Sequence, residues 1–216
     1  MIDLHMHTVF SDGELIPAEL ARRAEVVGCR YIAITDHVDQ SNVEHVAGSI
    51  VRFCSEDQHK VKVLPGVEIT HVTPAEIADV VKRARKSGVK IVVAHGETIV
   101  EPVERGTNDA AIDAGVNILA HPGMITPETA AHAAKAGVFL EITARGGHSY
   151  SNGHVARTAL EAGAKMVFNT DSHSPHDLVD RERAIKIIMA AGLSFVQAQE
   201  ILANSQKLVE ACSGAL

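Results

Sequence analysis

The sequence predicts an α/β fold in which seven parallel strands alternate with helices and close into a barrel. Short apolar or β-branched runs recur along the 216 residues with helical stretches between them, and successive runs start roughly 21 to 31 residues apart. That is the length of a strand, a crossover helix and two loops. Right-handed crossovers repeated this often tend to close a parallel sheet on itself. Glycines at 28, 88, 115, 137 and 163 each follow a helical stretch and precede a strand by one to three residues, where a left-handed C-cap sits.

Taken in order, the candidate strands are Ile2–His5, Tyr31–Thr35, Lys62–Glu68, Lys90–Ala94, Asn117–Ala120, Val138–Ile142 and Met166–Thr170. Thr73-Pro74-Ala75-Glu76 reads as a capping box opening a helix that runs to about Ser87. Thr126-Pro127 opens another helix, and Ser194 with Gln197 opens one near the C-terminus. Either Ser151 or Asn152 is expected to cap the helix after the sixth strand. Beyond Asp180 the chain turns wholly helical to about Ala211, which should cover the outside or one end of the barrel. With no interdomain linker, low-complexity tract or close repeat, residues 1–216 read as a single barrel domain with C-terminal helices.

Composition narrows the function. Twenty Lys and Arg against 27 Asp and Glu give a net charge of −7, and the aromatics are five Phe, two Tyr and no Trp. Such a chain lacks the basic surface and stacking platforms of a nucleic-acid binder, so a small substrate is favoured over a polymer. No apolar run approaches the roughly 18 to 20 residues of a membrane span, and the N-terminus has no basic region followed by an apolar core. A cytoplasmic location is expected. Cys29, Cys54 and Cys212 are too few and too scattered for a disulfide framework or a thiolate zinc site, and read as ordinary, partly buried thiols.

The 13 histidines are informative through their placement. His5 and His7 follow the first strand, His37 the second, Glu68 ends the third, His95 follows the fourth, His121 the fifth, and Asp171 with His173 the seventh. In a parallel barrel all these ends lie on one rim. His5 and His7 are two apart on an extended segment, so both can grip one ion, and Asp171 with His173 repeats that spacing. Asp12 completes a set of nine potential ligands, enough for two or three divalent ions with a carboxylate shared between a pair. Nitrogen and oxygen ligands without sulfur suit Zn, Mn or Fe. A lone His-x-His or His-Pro is usually incidental. Six imidazoles and three acids on one rim are not, since the acids would repel strongly without a cation between them.

Asp3-Leu4-His5-Met6-His7-Thr8 with Ser11-Asp12-Gly13, then Thr35-Asp36-His37, Gly66-Val67-Glu68, His95, His121-Pro122 and Asn169-Thr170-Asp171-Ser172-His173, resemble the PHP (polymerase and histidinol phosphatase) domain family across residues 2–176. The resemblance implies a distorted, TIM-like (β/α)7 barrel with a trinuclear metal site at its C-terminal rim. It also implies the ligand sets. One ion would take His5, His7, Glu68 and Asp171, a second Glu68, His95 and His121, and a third Asp12, His37 and His173. Many members carry His where Asp12 stands, so the third site can bind weakly.

The sixth strand ends without a ligand, in Ile142-Thr143-Ala144-Arg145-Gly146-Gly147-His148. Arg145 offers a fork for phosphate, and Gly146-Gly147 allows backbone N–H groups close to an anion. Arg145, Gly146, Gly147 and His148 are the expected substrate contacts, although Arg145 could instead pair with a surface acid. His148 and His154 could hydrogen-bond phosphate or protonate a leaving group. His45, His59 and His132 read as solvated, while His71 and His176 lie just past ligand positions and could touch substrate. Asp3 and Asp36 are candidates to orient the neighbouring imidazoles of His5 and His37. The segment Gly96–Asn108, with Glu97, Glu101, Glu104 and Arg105, forms either part of the pocket wall or a mobile surface loop.

Glu68, Asp171, Arg145 and His148 are the expected catalytic residues. The expected reaction, which the resemblance also implies, is hydrolysis of a small phosphomonoester by a metal-bound hydroxide. Histidinol phosphate, a nucleotide or a sugar phosphate would serve as substrate. The alternatives are an amidohydrolase-type metal hydrolase, a PHP-type nuclease and a non-catalytic scaffold. Amidohydrolases commonly place a bridging Lys where Glu68 stands, a nuclease needs a basic surface, and a scaffold would be expected to lose ligands and gain positive charge. The sequence leaves the native metal, the substrate and the oligomeric state open.

Overall fold

The computed structural model of the protein describes residues 1–213. Its strands are β1 (Ile2–Asp3), β2 (Tyr31–Ile34), β3 (His37–Val38), β4 (Lys62–Ile69), β5 (Ile91–His95), β6 (Ile118–Ala120), β7 (Phe139–Thr143) and β8 (Met166–Asn169). All ladders are parallel, and the order β1-β2-β4-β5-β6-β7-β8 follows the chain. Each of the seven expected runs is a strand. The two ends of the sheet meet at a parallel bridge between Met6 and Ser172, where the His7 N–H donates to the Ser172 carbonyl at 2.8 Å, so the barrel is nearly closed.

β3 is the strand that the sequence did not suggest. β4 pairs with β2 from Tyr31↔Lys62 to Ile34↔Pro65, then with β3 at His37↔Glu68 and Val38↔Ile69. Between the two, the Asp36 carboxylate accepts from Thr8 N, Thr8 Oγ1 and Ser11 Oγ at 2.7 Å each. The chain thus breaks step at Thr35-Asp36 and resumes pairing with His37 beside Glu68. Gly66 is required at this crossing, because a Cβ there would lie 2.7 Å from Thr35 Cγ2 and 2.9 Å from the Ile91 carbonyl.

The helices are α1 (Pro17–Val27), α2 (Val43–Glu56), α3 (Ile77–Lys86), α4 (Thr107–Asp113), α5 (Pro127–Ala136), α6 (Asn152–Ala162), α7 (Arg181–Ala190) and α8 (Phe195–Ser213), with 3-10 turns at His148–Ser151 and Pro175–Asp177. All five glycines expected after helices have positive φ, between 69° and 98°. Thr126 caps α5 by accepting from Thr129 N, and Ser194 and Gln197 exchange bonds at the start of α8. The capping box at Thr73 does not form. Its hydroxyl donates to the Glu76 carboxylate at 2.6 Å, residues 74–76 make a turn, and α3 starts at Ile77. Neither Ser151 nor Asn152 caps α6. Ser151 donates to the His148 carbonyl, and the Asn152 amide pairs with both backbone groups of Thr143, tying the helix to the end of β7.

Alternate strand residues divide the core in two. Ile2, Leu4, Ala33, Ile91, Val93, Ile118, Ala120, Phe139 and Val167 fill the barrel with Leu208 and Val209 of α8, which therefore plugs the end opposite the ligand-bearing rim. The other strand face packs on the surrounding helices. None of the three cysteines is in a disulfide: Cys29 is buried, and Cys54 and Cys212 are partly so. No helix among the described residues is long and apolar enough to cross a membrane.

Candidate metal centre

All nine expected ligands converge at the C-terminal ends of the strands. Glu68, on the upper half of β4, lies at the centre. Its carboxylate is 3.3 Å from His5 Nε2, 3.6 Å from His7 Nε2, 2.8 Å from His37 Nδ1 and 3.7 Å from His121 Nε2. Asp171 faces it across the site, 3.2 Å from His7 Nε2 and 3.6 Å from His121 Nε2. Asp12 Oδ1 lies 3.2 Å from His173 Nε2 and 3.5 Å from His37 Nε2. Four groups of three or four ligand atoms result: His7, Asp12, His37 and His173; His5, His7 and Glu68; His5, His121 and Asp171; and His95, His121 and His148.

His5 and His7 enter the site because β1 ends early. The Leu4 N–H donates to Asn169 Oδ1 at 2.8 Å and the His5 N–H to Asp3 Oδ1 at 3.4 Å, so both amides leave the ladder. Leu4 points into the barrel core and His5, the next residue, reaches the rim. Asp3 therefore does not orient the His5 ring; it accepts from Thr170 N and Oγ1 instead. The orienting residue is Glu141 of β7, which sequence reasoning missed. Its Oε1 accepts from His5 Nδ1 and Asn169 Nδ2, both at 2.8 Å, and its Oε2 from His121 N at 3.3 Å. Asp36 likewise does not touch the His37 ring. It holds the turn that carries Asp12.

Burial pulls the His5 imidazole down, but the carboxylates of Glu68, Glu141 and Asp171 outweigh it and hold its pKa well above the ordinary histidine value. Glu68 is raised by burial and then driven well below the carboxylate range by His5 and His37. Burial pushes Asp171 up to about 7, while burial and the nearby His37 hold His7 well down.

Several buried polar atoms here have no hydrogen-bond partner: His5 Nε2, both His7 ring nitrogens, both Glu68 oxygens and His121 Nδ1. Unpaired polar atoms in a protein interior are rare and costly. Two ligands at roughly 2.0–2.1 Å from one tetrahedral ion lie about 3.3 Å apart, close to the spacings above. The residues present fit a cluster of divalent cations.

Among the described residues, three non-glycine positions have positive φ, namely His71 (54°), His121 (27°) and Asp171 (53°). All three line one cavity of about 270 Å³ above the cluster. Such backbone costs roughly 1–3 kcal/mol per residue and concentrates at functional sites. Arg145 lines the same cavity, with Nη1 3.6 Å from Asp177 Oδ2. His148 also lines it, its Nδ1 against Thr98 Oγ1 at 2.8 Å and its ring stacked on His121. Gly147 has φ 85°, where a Cβ would lie 3.6 Å from Val100 Cγ2, and a Cβ at Gly146 would meet nothing within 4 Å. His154 is turned away, its Nε2 on the Ile125 carbonyl at 2.7 Å. His45 is exposed and His132 sits between Asp109 and Asp113. The 96–108 segment forms a wall of the cavity through Glu101.

Residues 3–96 match the PHP domain family. An uncharacterized protein of Methanocaldococcus jannaschii, MJ1295, is 48% identical over 95% of this chain and 96% of its own length. The protein named probable phosphatase YcdX of Escherichia coli strain K12 is 28% identical, over 88% of this chain and 85% of the relative. Among solved structures, histidinol phosphate phosphatase from Lactococcus lactis, complexed with zinc, L-histidinol and phosphate, matches with a TM-score of 0.64 at 18% identity, covering 89% of this chain and 94% of that one. A chain of archaeal ribonuclease P with mature tRNA matches with a TM-score of 0.72 at 15% identity, covering 97% and 91%. At these identities the two structures share the fold. With a relative of 48% identity along nearly the whole chain and the family's ordered motifs in place, the chain belongs to the PHP domain family.

Proposed function

We propose that the protein is a metal-dependent phosphoesterase that hydrolyses a small phosphomonoester. The observation that carries this reading is the convergence of six imidazoles and three carboxylates, several with unpaired buried atoms, beneath a cavity that Arg145 also lines. His5, His7, Asp12, His37, Glu68, His95, His121, Asp171 and His173 would hold two or three ions. Bound Zn, Mn or Fe would polarise the phosphoryl oxygens and make water nucleophilic near neutral pH.

The chain's own residues supply the rest. Glu68 and Asp171 each face several imidazoles and would hold the ions jointly with them. Glu141 presents His5 with its Nδ1–H engaged, leaving Nε2 directed at the cluster. Arg145 binds the non-reacting phosphoryl oxygens, and the open Gly146-Gly147 backbone gives the anion room to approach. His148, held through Nδ1 by Thr98, presents Nε2 to the cavity, where it can hydrogen-bond the phosphate or the departing oxygen. The cavity lining holds no Ser, Cys or Tyr, and its one hydroxyl, Thr70 Oγ1, is engaged by His37 Nδ1 at 2.6 Å and the Glu68 carbonyl at 3.3 Å, which favours water over a side chain as nucleophile.

Charge separates this reading from its alternatives. A net charge of −7 weighs against a polymer substrate, and retention of every ligand position weighs against a scaffold. The test is a panel of small phosphomonoesters, with a single-stranded oligonucleotide beside them, offered to protein reconstituted with Zn or Mn. Phosphate release from at least one monoester, well above oligonucleotide cleavage, is expected. Loaded protein that releases no phosphate, or that cuts the oligonucleotide comparably with a steep salt dependence, would overturn the proposal.

A further inference from the structure

Three of the rim histidines share one construction. In each, Nδ1 is paired with an atom that can only accept: Glu141 Oε1 for His5 at 2.8 Å, the Asp171 carbonyl for His173 at 3.0 Å, and the Gly96 carbonyl for His95 at 3.2 Å. The ring proton of the neutral form is thereby fixed on Nδ1, and Nε2 is left with a lone pair. In each case that lone pair looks at a carboxylate oxygen: Glu68 Oε1 at 3.3 Å, Asp12 Oδ1 at 3.2 Å and Glu101 Oε2 at 3.2 Å. A lone pair and a carboxylate repel at that distance unless a cation lies between them, a proton in the metal-free chain or a metal ion that displaces it. The first two pairs belong to the nine-residue set. The third brings in a residue outside it.

The rest of the geometry agrees. Glu68 approaches His5, His7, His37 and His121 within 4.0 Å, whereas the carboxylate that approaches His95 is Glu101. Glu101 is held in place from both sides. Its Oε2 accepts from His71 Nε2 at 3.3 Å, from a residue of strained backbone, and its Oε1 lies 3.4 Å from His148 Nε2. The segment that carries it is anchored. The Glu97 carboxylate accepts from Gly106 N and Asn108 N, and Asn108 Oδ1 accepts from Glu97 N.

We infer that Glu101 is a tenth metal ligand, coordinating through Oε2 the ion held by His95, and that His71 positions its carboxylate. The inference rests on the metal-dependent reading above. It assigns to the 96–108 segment a part in completing the metal site.

The experiment is a metal titration, independent of turnover. Wild type, Glu101→Gln, Glu101→Ala and the control Glu104→Gln are stripped and titrated with Co2+, following the visible absorption of the bound ion and, by chelator competition, the affinity of each site. Loss of an outer hydrogen-bonding partner costs a metal roughly 10–100-fold in affinity. For Glu101→Gln and Glu101→Ala the expected loss exceeds about 100-fold at one ion, with that ion's spectrum altered, the other ions unchanged, and Glu104→Gln like wild type. A smaller loss with an unchanged spectrum, or equal weakening of every ion, would overturn the assignment. Wild type that takes up no more than one ion would defeat the multi-ion reading on which this inference rests. Wild type that loads fully while both Glu101 variants match it would defeat this inference alone.

Discussion

Replacing Glu141 with Gln isolates the role of the carboxylate beneath His5. The side chain is wholly buried and accepts three hydrogen bonds, two at Oε1 from His5 Nδ1 and Asn169 Nδ2 and one at Oε2 from His121 N. Gln has nearly the same shape, but one of its two positions carries donors. With its oxygen in the Oε1 place it keeps His5 and Asn169 and sets an amide NH2 against the His121 N–H. Flipped, it loses both 2.8 Å bonds. Asn169 cannot turn to relieve this, because its Oδ1 accepts from Leu4 N at 2.8 Å. The better orientation reduces a charge-assisted bond of about 1.5–3 kcal/mol to a neutral one of about 0.5–1.5 kcal/mol. A loss of about 1–2 kcal/mol in holding His5 corresponds to roughly 5- to 30-fold weaker metal binding, which overlaps the lower part of the roughly 10- to 100-fold range for such a partner. Chelator competition with Zn on folded wild type and Glu141→Gln measures it. An affinity changed by less than about threefold would refute the claim that Glu141 sets the His5 tautomer and orientation.

Further outcomes follow from the same geometry. Glu68→Gln should cost more activity and more bound metal than Asp12→Asn, because Glu68 faces four imidazoles within the site and half-exposed Asp12 sits at its edge; metal analysis and phosphatase assays on both variants check this. Arg145→Ala should raise KM by roughly 10- to 150-fold, the equivalent of about 1.5–3 kcal/mol, and leave metal content intact. Metal binding should tighten as pH rises through about 7, because His5 is held protonated by Glu68, Glu141 and Asp171, and Asp171 is itself raised to about 7; both must lose protons to an incoming ion. Calorimetry in buffers of different ionisation enthalpy reads the released protons. In the metal-free chain the raised Asp171 contributes stability below the ordinary carboxylate value that is lost as pH rises through about 7, so Tm should fall over that window and added metal should restore it most at the alkaline end.

Local signals carried far into the fold. Thr126-Pro127, Ser194 with Gln197 and the five helix-ending glycines each specify their own turn of backbone, and each does so in the structure. Thr73 failed because its hydroxyl had a second partner in reach, the Glu76 carboxylate, which a motif does not reveal. β3 depends on Asp36 gripping Thr8 and Ser11, 25 to 28 residues away, and no periodicity encodes that. The convergence of the nine candidate ligands was legible because a parallel barrel gathers strand ends. Their orienting partners were not. Asp3, two residues before His5 in the expected strand, looked suitable for it, yet β1 loses step at Leu4 and the task falls to Glu141, 136 residues away. One signal was present. Glu141 is the single acid in the run Val138–Ile142, wholly buried between Leu140 and Ile142, and a charge in the middle of an apolar strand asks for a partner inside the barrel.

The central claim is that this rim holds a cluster of ions, and elemental analysis of gently purified protein tests it most directly, before and after saturation with Zn or Mn and dialysis. Two to three transition-metal ions per chain are expected, falling when Glu68 is replaced by Gln. At most one ion per chain, with no further uptake on addition of either metal, would contradict it.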